Sequence, residues 1–319
     1  MAPSSQELEP PAIPVRFICV KNKEHRIAEA LKKWFTNHNG APNHFGELLT
    51  QYANSDLSPP HLVKEIETKE EGKLWSYLWE AMLYRHLISM GYELRNSVTA
   101  AGQHGPDFCV NYRGRTIWIE AIVPSPVGIP ADWLEPPRNG EYRVKTKPDK
   151  ERVLRCTSAI DAKQKKFAEY RAKGIVGASD CAVIAINICR LSDWDVDGIG
   201  ISQLPLVMEA VFPIGPLGVP ITREGKPDGP AQHMPRFALK KVNGSEIQTA
   251  NFLDPLFANV SAVIQGHQKD MFEKDLVLST VHNPLTSNPL PTSLFGTRKE
   301  FVAEERGDEY QIKNVAMVD

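Results

Sequence analysis

Residues 105–123 read Gly-Pro-Asp-Phe-Cys-Val-Asn-Tyr-Arg-Gly-Arg-Thr-Ile-Trp-Ile-Glu-Ala-Ile-Val. Phe108 to Tyr112 and Thr116 to Val123 alternate or run apolar as strands do, and Arg113-Gly114 between them supplies a turn. With those two residues at the centre of a tight hairpin, Tyr112 faces Arg115, and residues whose numbers sum to 227 are opposed. Asp107 and Glu120 form such a pair. Opposed residues project from one face with Cβ atoms about 5 Å apart, so two carboxylates there repel unless a cation lies between them. A divalent ion is an economical cation, because carboxylate oxygens are the ligands that Mg²⁺ takes. A loop one residue longer would break the pairing. Glu120 also lies among Ile117, Trp118, Ile119, Ala121, Ile122 and Val123, where an unpaired charge is costly.

Working outward, Leu74 to Met90 predicts a helix. Trp75, Leu78, Trp79, Met82, Leu83 and Leu87 follow the 3.6-residue period, and Gly91 supplies the stop. Glu80 falls at the margin of that stripe. Downstream, Pro- and Gly-rich sequence to about Lys147 predicts a loop, and Ser158 to Lys173 predicts a second helix closed by Gly174. Cys156, Ile160, Phe167 and Tyr170 share one side of it, with Lys163 in the middle of the stripe. A lysine there either snorkels to water or serves a site. Arg152 joins the Lys163 side if the helix begins early, Arg155 lies near its border, and Lys165 and Lys166 lie further out. Ala182 to Ile188 is β-branched and apolar, as in a strand buried on both faces. Helix, hairpin, helix and buried strand together predict an α/β core over residues 72–190.

Glu80 on a helix, then Pro106-Asp107, then Glu120 inside an apolar strand, then a lysine-bearing helix, resembles the PD-(D/E)xK nuclease superfamily. The resemblance covers residues 72–190 and implies a restriction-endonuclease-like mixed sheet flanked by helices. It implies cleavage of phosphodiester bonds with Mg²⁺ or Mn²⁺, Asp107 and Glu120 as metal ligands and Glu80 as the helix-borne acid. The superfamily's lysine stands two residues after the second acid, where this chain has Ile122. Some members carry it on the following helix, and Lys163 is the candidate for that migration. The reading is therefore a metal-dependent nuclease with Asp107, Glu120, Lys163 and Glu80 as catalytic residues. Its alternative is an inactive relative that binds nucleic acid or regulates. A carboxylate-metal hydrolase of small phosphoesters is a third class, which would need a closed pocket.

The rest of the chain frames that core. Residues 1–14 predict a flexible tail, and 15–71 an α-rich extension with a short strand at Val15 to Val20 and a helix at Glu24 to Thr36. Residues 191–319 predict a β-containing extension packing on the core. Within it, Pro213 to Pro235 predicts a long loop, Phe237 to Phe252 a hairpin turning at Asn243-Gly244, and Val260 to Ile264 and Leu276 to Val281 strands added to the same layer. His104 predicts a surface position and His282 a turn. No Gly-x-Ser-x-Gly or phosphate-loop pattern is present.

The chain has 319 residues, 42% hydrophobic and 24% charged, which suits a folded globular protein and excludes wholesale disorder. Its net charge is −2, yet Arg138 to Lys173 holds twelve Lys or Arg against five Asp or Glu. That segment predicts contact with a phosphate backbone, DNA more than RNA, through Lys145, Lys147, Lys150, Arg152, Arg155 and Lys166. Cutting two strands makes a homodimer plausible. The strongest apolar run, Cys181 to Cys189, is strand-sized, so no membrane span or membrane partner is expected. A polar, Pro-rich start without a signal-peptide pattern and five unpatterned cysteines predict a reducing cytoplasm.

Overall fold

The computed structural model describes residues 16–35, 41–68, 70–95, 104–135, 144–191, 198–241, 243–267, 276–307 and 309–316. In chain order its helices are α1 (Arg16–Trp34), α2 (Ala41–Ala53), α3 (Leu62–Ile66), α4 (Glu71–Ser89), α5 (Ala131–Leu134), α6 (Asp149–Ala172) and α7 (Met208–Val211). Its strands are β1 (Leu94–Arg95), β2 (Phe108–Tyr112), β3 (Arg115–Ile122), β4 (Cys181–Asn187), β5 (Ile214–Gly218), β6 (Gln232–Pro235), β7 (Ala238–Lys240), β8 (Glu246–Gln248), β9 (Ala262–Gly266), β10 (Ser279–His282), β11 (Lys299–Arg306) and β12 (Glu309–Asn314).

Eight strands form one mixed sheet in the order β1-β2-β3-β4-β9-β10-β11-β12. The β2–β3 hairpin is antiparallel, whereas β3, β4 and β9 run parallel. Parallel strands need a crossover, and α6 supplies the one between β3 and β4. Alternation assigns the two faces. Ile117, Ile119, Val183, Ala185 and Ile264 pack with α1 to α4, while Ala182, Ile184, Ile186, Val263 and Phe301 pack with Val153, Ile160 and Phe167 of α6. Every residue of β4 is buried, which explains its unbroken apolar sequence. The chain is thus an α/β protein whose large mixed sheet is flanked by helices.

Several boundaries differ from the sequence expectation. Residues 16–20, read as a strand, belong to α1; the helical spacing of Ile27, Ala30 and Leu31 against α2 and α4 carries the element, and a helix satisfies its own backbone without a neighbouring strand. Helix α6 begins at Asp149, well before Ser158, because Val153 and Leu154 extend its buried stripe and Pro148 stands at its start. The predicted loop from Pro213 to Pro235 contains the β5–β6 ribbon. The hairpin around Gly244 forms as β7 and β8. Strands β9 and β10 join the main sheet, and β11 and β12 extend it beyond anything the apolar pattern indicated. Residue 190 consequently falls within one continuous sheet, to which the C-terminal part adds β9 to β12 edge to edge. The expected tail lies outside the described residues. Among the described residues no helix is long and apolar enough to cross a membrane.

Candidate functional site

The hairpin turn sets the register. Arg113 (φ 48°) and Gly114 (φ 79°) both take the left-handed conformation that a two-residue type I′ turn requires. Tyr112 consequently faces Arg115 and Phe108 faces Ile119. One step further out, Asp107 stands across from Glu120, and its Oδ2 accepts a hydrogen bond from the Ala121 N–H at 2.7 Å. Glu120 sits on the α6 face of the sheet and has no exposed surface.

Helix α6 answers that buried charge. The Lys163 ammonium donates to Glu120 Oε1 at 2.8 Å, and the Lys166 ammonium donates to the same oxygen. The two lysines are three residues apart, close to one helical turn, so both reach one carboxylate. Glu120 Oε2 is buried and has no hydrogen-bond partner. From α4, Glu80 approaches the same centre, and its Oε2 accepts a hydrogen bond from the Tyr52 hydroxyl of α2 at 2.9 Å.

The electrostatics bind these groups into one unit. Burial first, and the Glu120 charge second, push the Asp107 carboxyl up to about 7, against the pull of Lys163. Glu80 is raised well above the ordinary carboxylate range by burial and by Asp107, with the Tyr52 bond and Lys163 opposing. Burial works against the Lys166 ammonium, but the charge and hydrogen bond of Glu120 together with the Tyr170 hydroxyl outweigh it and raise the lysine. Displaced groups gathered in this way, here Asp107, Glu80 and Lys166, are a feature of functional sites.

The fold brings Asp107, Glu120, Glu80 and Lys163 together. Ile122, in the superfamily's lysine position, packs against the apolar layer beside α6. Lys166 lies at the acidic centre, where an outer phosphate contact was expected. Arg152 has no exposed surface and sits 3.6 Å from Asp149, so it is buried structure and not a phosphate contact. Lys145 is held by Asp132, through its backbone carbonyl and a 3.1 Å ion pair, and Lys147 donates to the Ile199 carbonyl. These bonds draw both lysines onto the protein's own acceptors. Lys150 and Arg155 are half-buried along α6. Arg138, the start of the basic segment, lies outside the described residues. His104 is exposed, whereas His282, read as a turn residue, ends β10 and shares a 2.7 Å hydrogen bond with Glu300 Oε1.

Sequence reasoning missed Tyr52 and the role of Lys166. Tyr52 lies on another helix, and its only signal was a large aromatic whose buried hydroxyl must find a partner. The signal for Lys166 was its three-residue spacing from Lys163.

Among the described residues no group of three or more His, Cys, Asp or Glu side chains is set to hold a metal. The candidate donors are the carboxylates of Asp107 and Glu120, which lie near enough to interact electrostatically. This suits a hard cation such as Mg²⁺, which commonly takes one or two carboxylates and completes its shell with water and substrate phosphate. The unpartnered Glu120 Oε2 is the oxygen best placed to serve it. Comparison with protein-family models, curated proteins and solved structures gave no match.

Proposed function

We propose that this chain is a metal-dependent nuclease of the PD-(D/E)xK kind, with a restriction-endonuclease-like core and DNA as its preferred substrate. The observation that carries the reading is the Lys163–Glu120 contact. A lysine on the helix after the hairpin reaches the acid that the usual lysine position, Ile122, cannot serve. Asp107 and Glu120 would hold Mg²⁺ or Mn²⁺, which when bound supplies an acidified water and neutralises developing phosphorane charge. Lys163 stabilises that same charge from the α6 side. Lys166 holds a second positive charge against the buried Glu120 carboxylate group. Tyr52 orients Glu80, whose carboxyl burial and the Asp107 charge make harder to ionise.

The alternative, an inactive relative, rests on a specific observation: Lys163 and Lys166 both occupy Glu120 Oε1. The deciding experiment incubates the purified chain with labelled duplex DNA, single-stranded DNA and RNA in Mg²⁺, Mn²⁺ or EDTA. The expected result is metal-dependent cleavage, reduced at least about tenfold by Lys163→Ala, equivalent to roughly 1.4 kcal/mol of transition-state stabilisation. No cleavage in either metal would overturn the catalytic reading. Salt-sensitive binding would then leave the regulatory one.

A further inference from the structure

The eight-stranded sheet ends at β12. One side of this strand pairs with β11, and among the described residues no strand pairs with the other. An open edge displays a row of free N–H and C=O groups, which natural proteins usually guard with charge. Here the charges have a pattern of their own. We propose that β12 is a self-complementary edge through which two copies of this chain join antiparallel about a two-fold axis at Gln311. This inference is independent of the nuclease reading.

Backbone phase limits the possible registers. The Val315 N–H donates to the Glu300 carbonyl at 2.7 Å, so these residues form a hydrogen-bonded pair. Counting back in twos, Lys313, Gln311 and Glu309 turn their backbone groups toward β11, opposite Val302, Glu304 and Arg306. Tyr310 and Ile312 turn theirs outward. A second copy can therefore pair only in registers that match outward-turned residues with one another. Centred on Gln311, the register matches Tyr310 with the partner's Ile312 twice, and sets Glu309 opposite the partner's Lys313 twice. Centring instead on Tyr310 or Ile312 leaves no opposite charges directly facing.

The neighbouring strand strengthens this choice. Within each chain Glu309 stands across from Arg306, and Lys313 makes a 2.5 Å ion pair with Glu304. Pairing at Gln311 extends the Arg306–Glu309 pair to the partner's Lys313, so charge alternates across three strands on one face, with the Glu304 bound to that lysine lying on the diagonal. On the other face half-buried Ile312, opposite Ala303, continues the apolar layer that holds Phe301, and Tyr310, an exposed aromatic, lies beside it. Like charges directly opposite would be unfavourable, so the pattern selects the register as well as the partner. The contact is short and buries less than a standard interface, which makes the dimer concentration-dependent. Five strand spacings separate β3 from β12, so both Glu120 sites stay clear of the axis.

The test uses the full chain. Sedimentation over roughly 1–200 µM should show the mass rising from 35.6 kDa toward twice that value. Glu309→Lys, an exposed substitution, should weaken dimerisation at least about tenfold, a loss of roughly 1.4 kcal/mol. Single cysteines then read the register, with the native chain as control. Gln311→Cys lies on the axis at a non-hydrogen-bonded pair about 4.5 Å across, close enough for a disulfide. It should cross-link under mild oxidation, whereas Tyr310→Cys and Ile312→Cys should not. A monomer at every concentration, or cross-linking strongest at 310 or 312, would overturn the proposal.

Discussion

Glu120 is buried inside an apolar strand, and two lysines of α6 reach one of its oxygens. Burying such a group is costly unless it is paired and hydrogen-bonded. Asp107, its neighbour across the hairpin, has a single backbone bond, from Ala121, and is raised to about 7 by burial and by the Glu120 charge. A carboxyl whose folded-state pKa exceeds its unfolded value holds its proton more tightly when folded. Asp107 therefore contributes stability at low pH that is lost as pH rises from about 4, the unfolded value, to about 7. In EDTA the melting temperature of the wild type should fall relative to that of Asp107→Asn across that window. A wild-type slope in the Asp107→Asn variant would refute the assignment. Glu120 and Lys163 were legible in the sequence because each broke a local apolar pattern, and Asp107 because it counts opposite Glu120 across the turn. Tyr52 broke none, and nothing local tied it to Glu80.

At the scale of elements, the sheet and α4 are joined at a close approach. The Trp79 indole N–H donates to the Ala185 carbonyl at 3.0 Å, and the ring is fully buried. Its far edge lies over Gly266 at the end of β9, where a Cβ would stand 2.7 Å from Cη2 and 2.9 Å from Cζ3. The ring is pinned by its hydrogen bond and cannot give way cheaply. Gly266→Ala should destabilise the protein by about 1–3 kcal/mol, the usual cost of overpacking a well-filled core. Urea denaturation measures this directly, and an unchanged midpoint with an unchanged slope would show that Trp79 has room to move. The sequence reading placed α4, β2, β3 and β4 within a few residues, since each has a strong period or run. It placed α6 late and left out β11 and β12, whose charged, half-exposed residues follow no strong apolar alternation.

For the whole molecule, the decisive feature is that the sheet crosses residue 190. Strand β4 is buried on both faces and pairs in parallel with β3 on one side and β9 on the other. A fragment spanning residues 72–190 would turn β4 into an exposed edge, and would also lose the α1 and α2 side chains that cover α4. That fragment should not fold alone. It should show weak near-ultraviolet circular dichroism and bind a hydrophobic dye, where the full chain does neither. A cooperatively melting fragment would restore 72–190 as an independent core.

By itself the sequence determined the local features: the turn at Arg113-Gly114, the strands on either side, the pairing of Asp107 with Glu120, and a lysine displaced onto an apolar helix face. Each depends on spacing within a few residues, where strand and helix periods act directly. Only the tertiary structure decided that Lys166 joins Lys163 on Glu120, that Tyr52 reaches Glu80, that Arg152 is buried, and that one sheet runs from β1 to β12. Those outcomes depend on which faces meet across long separations, and local periodicity carries no information about the partner.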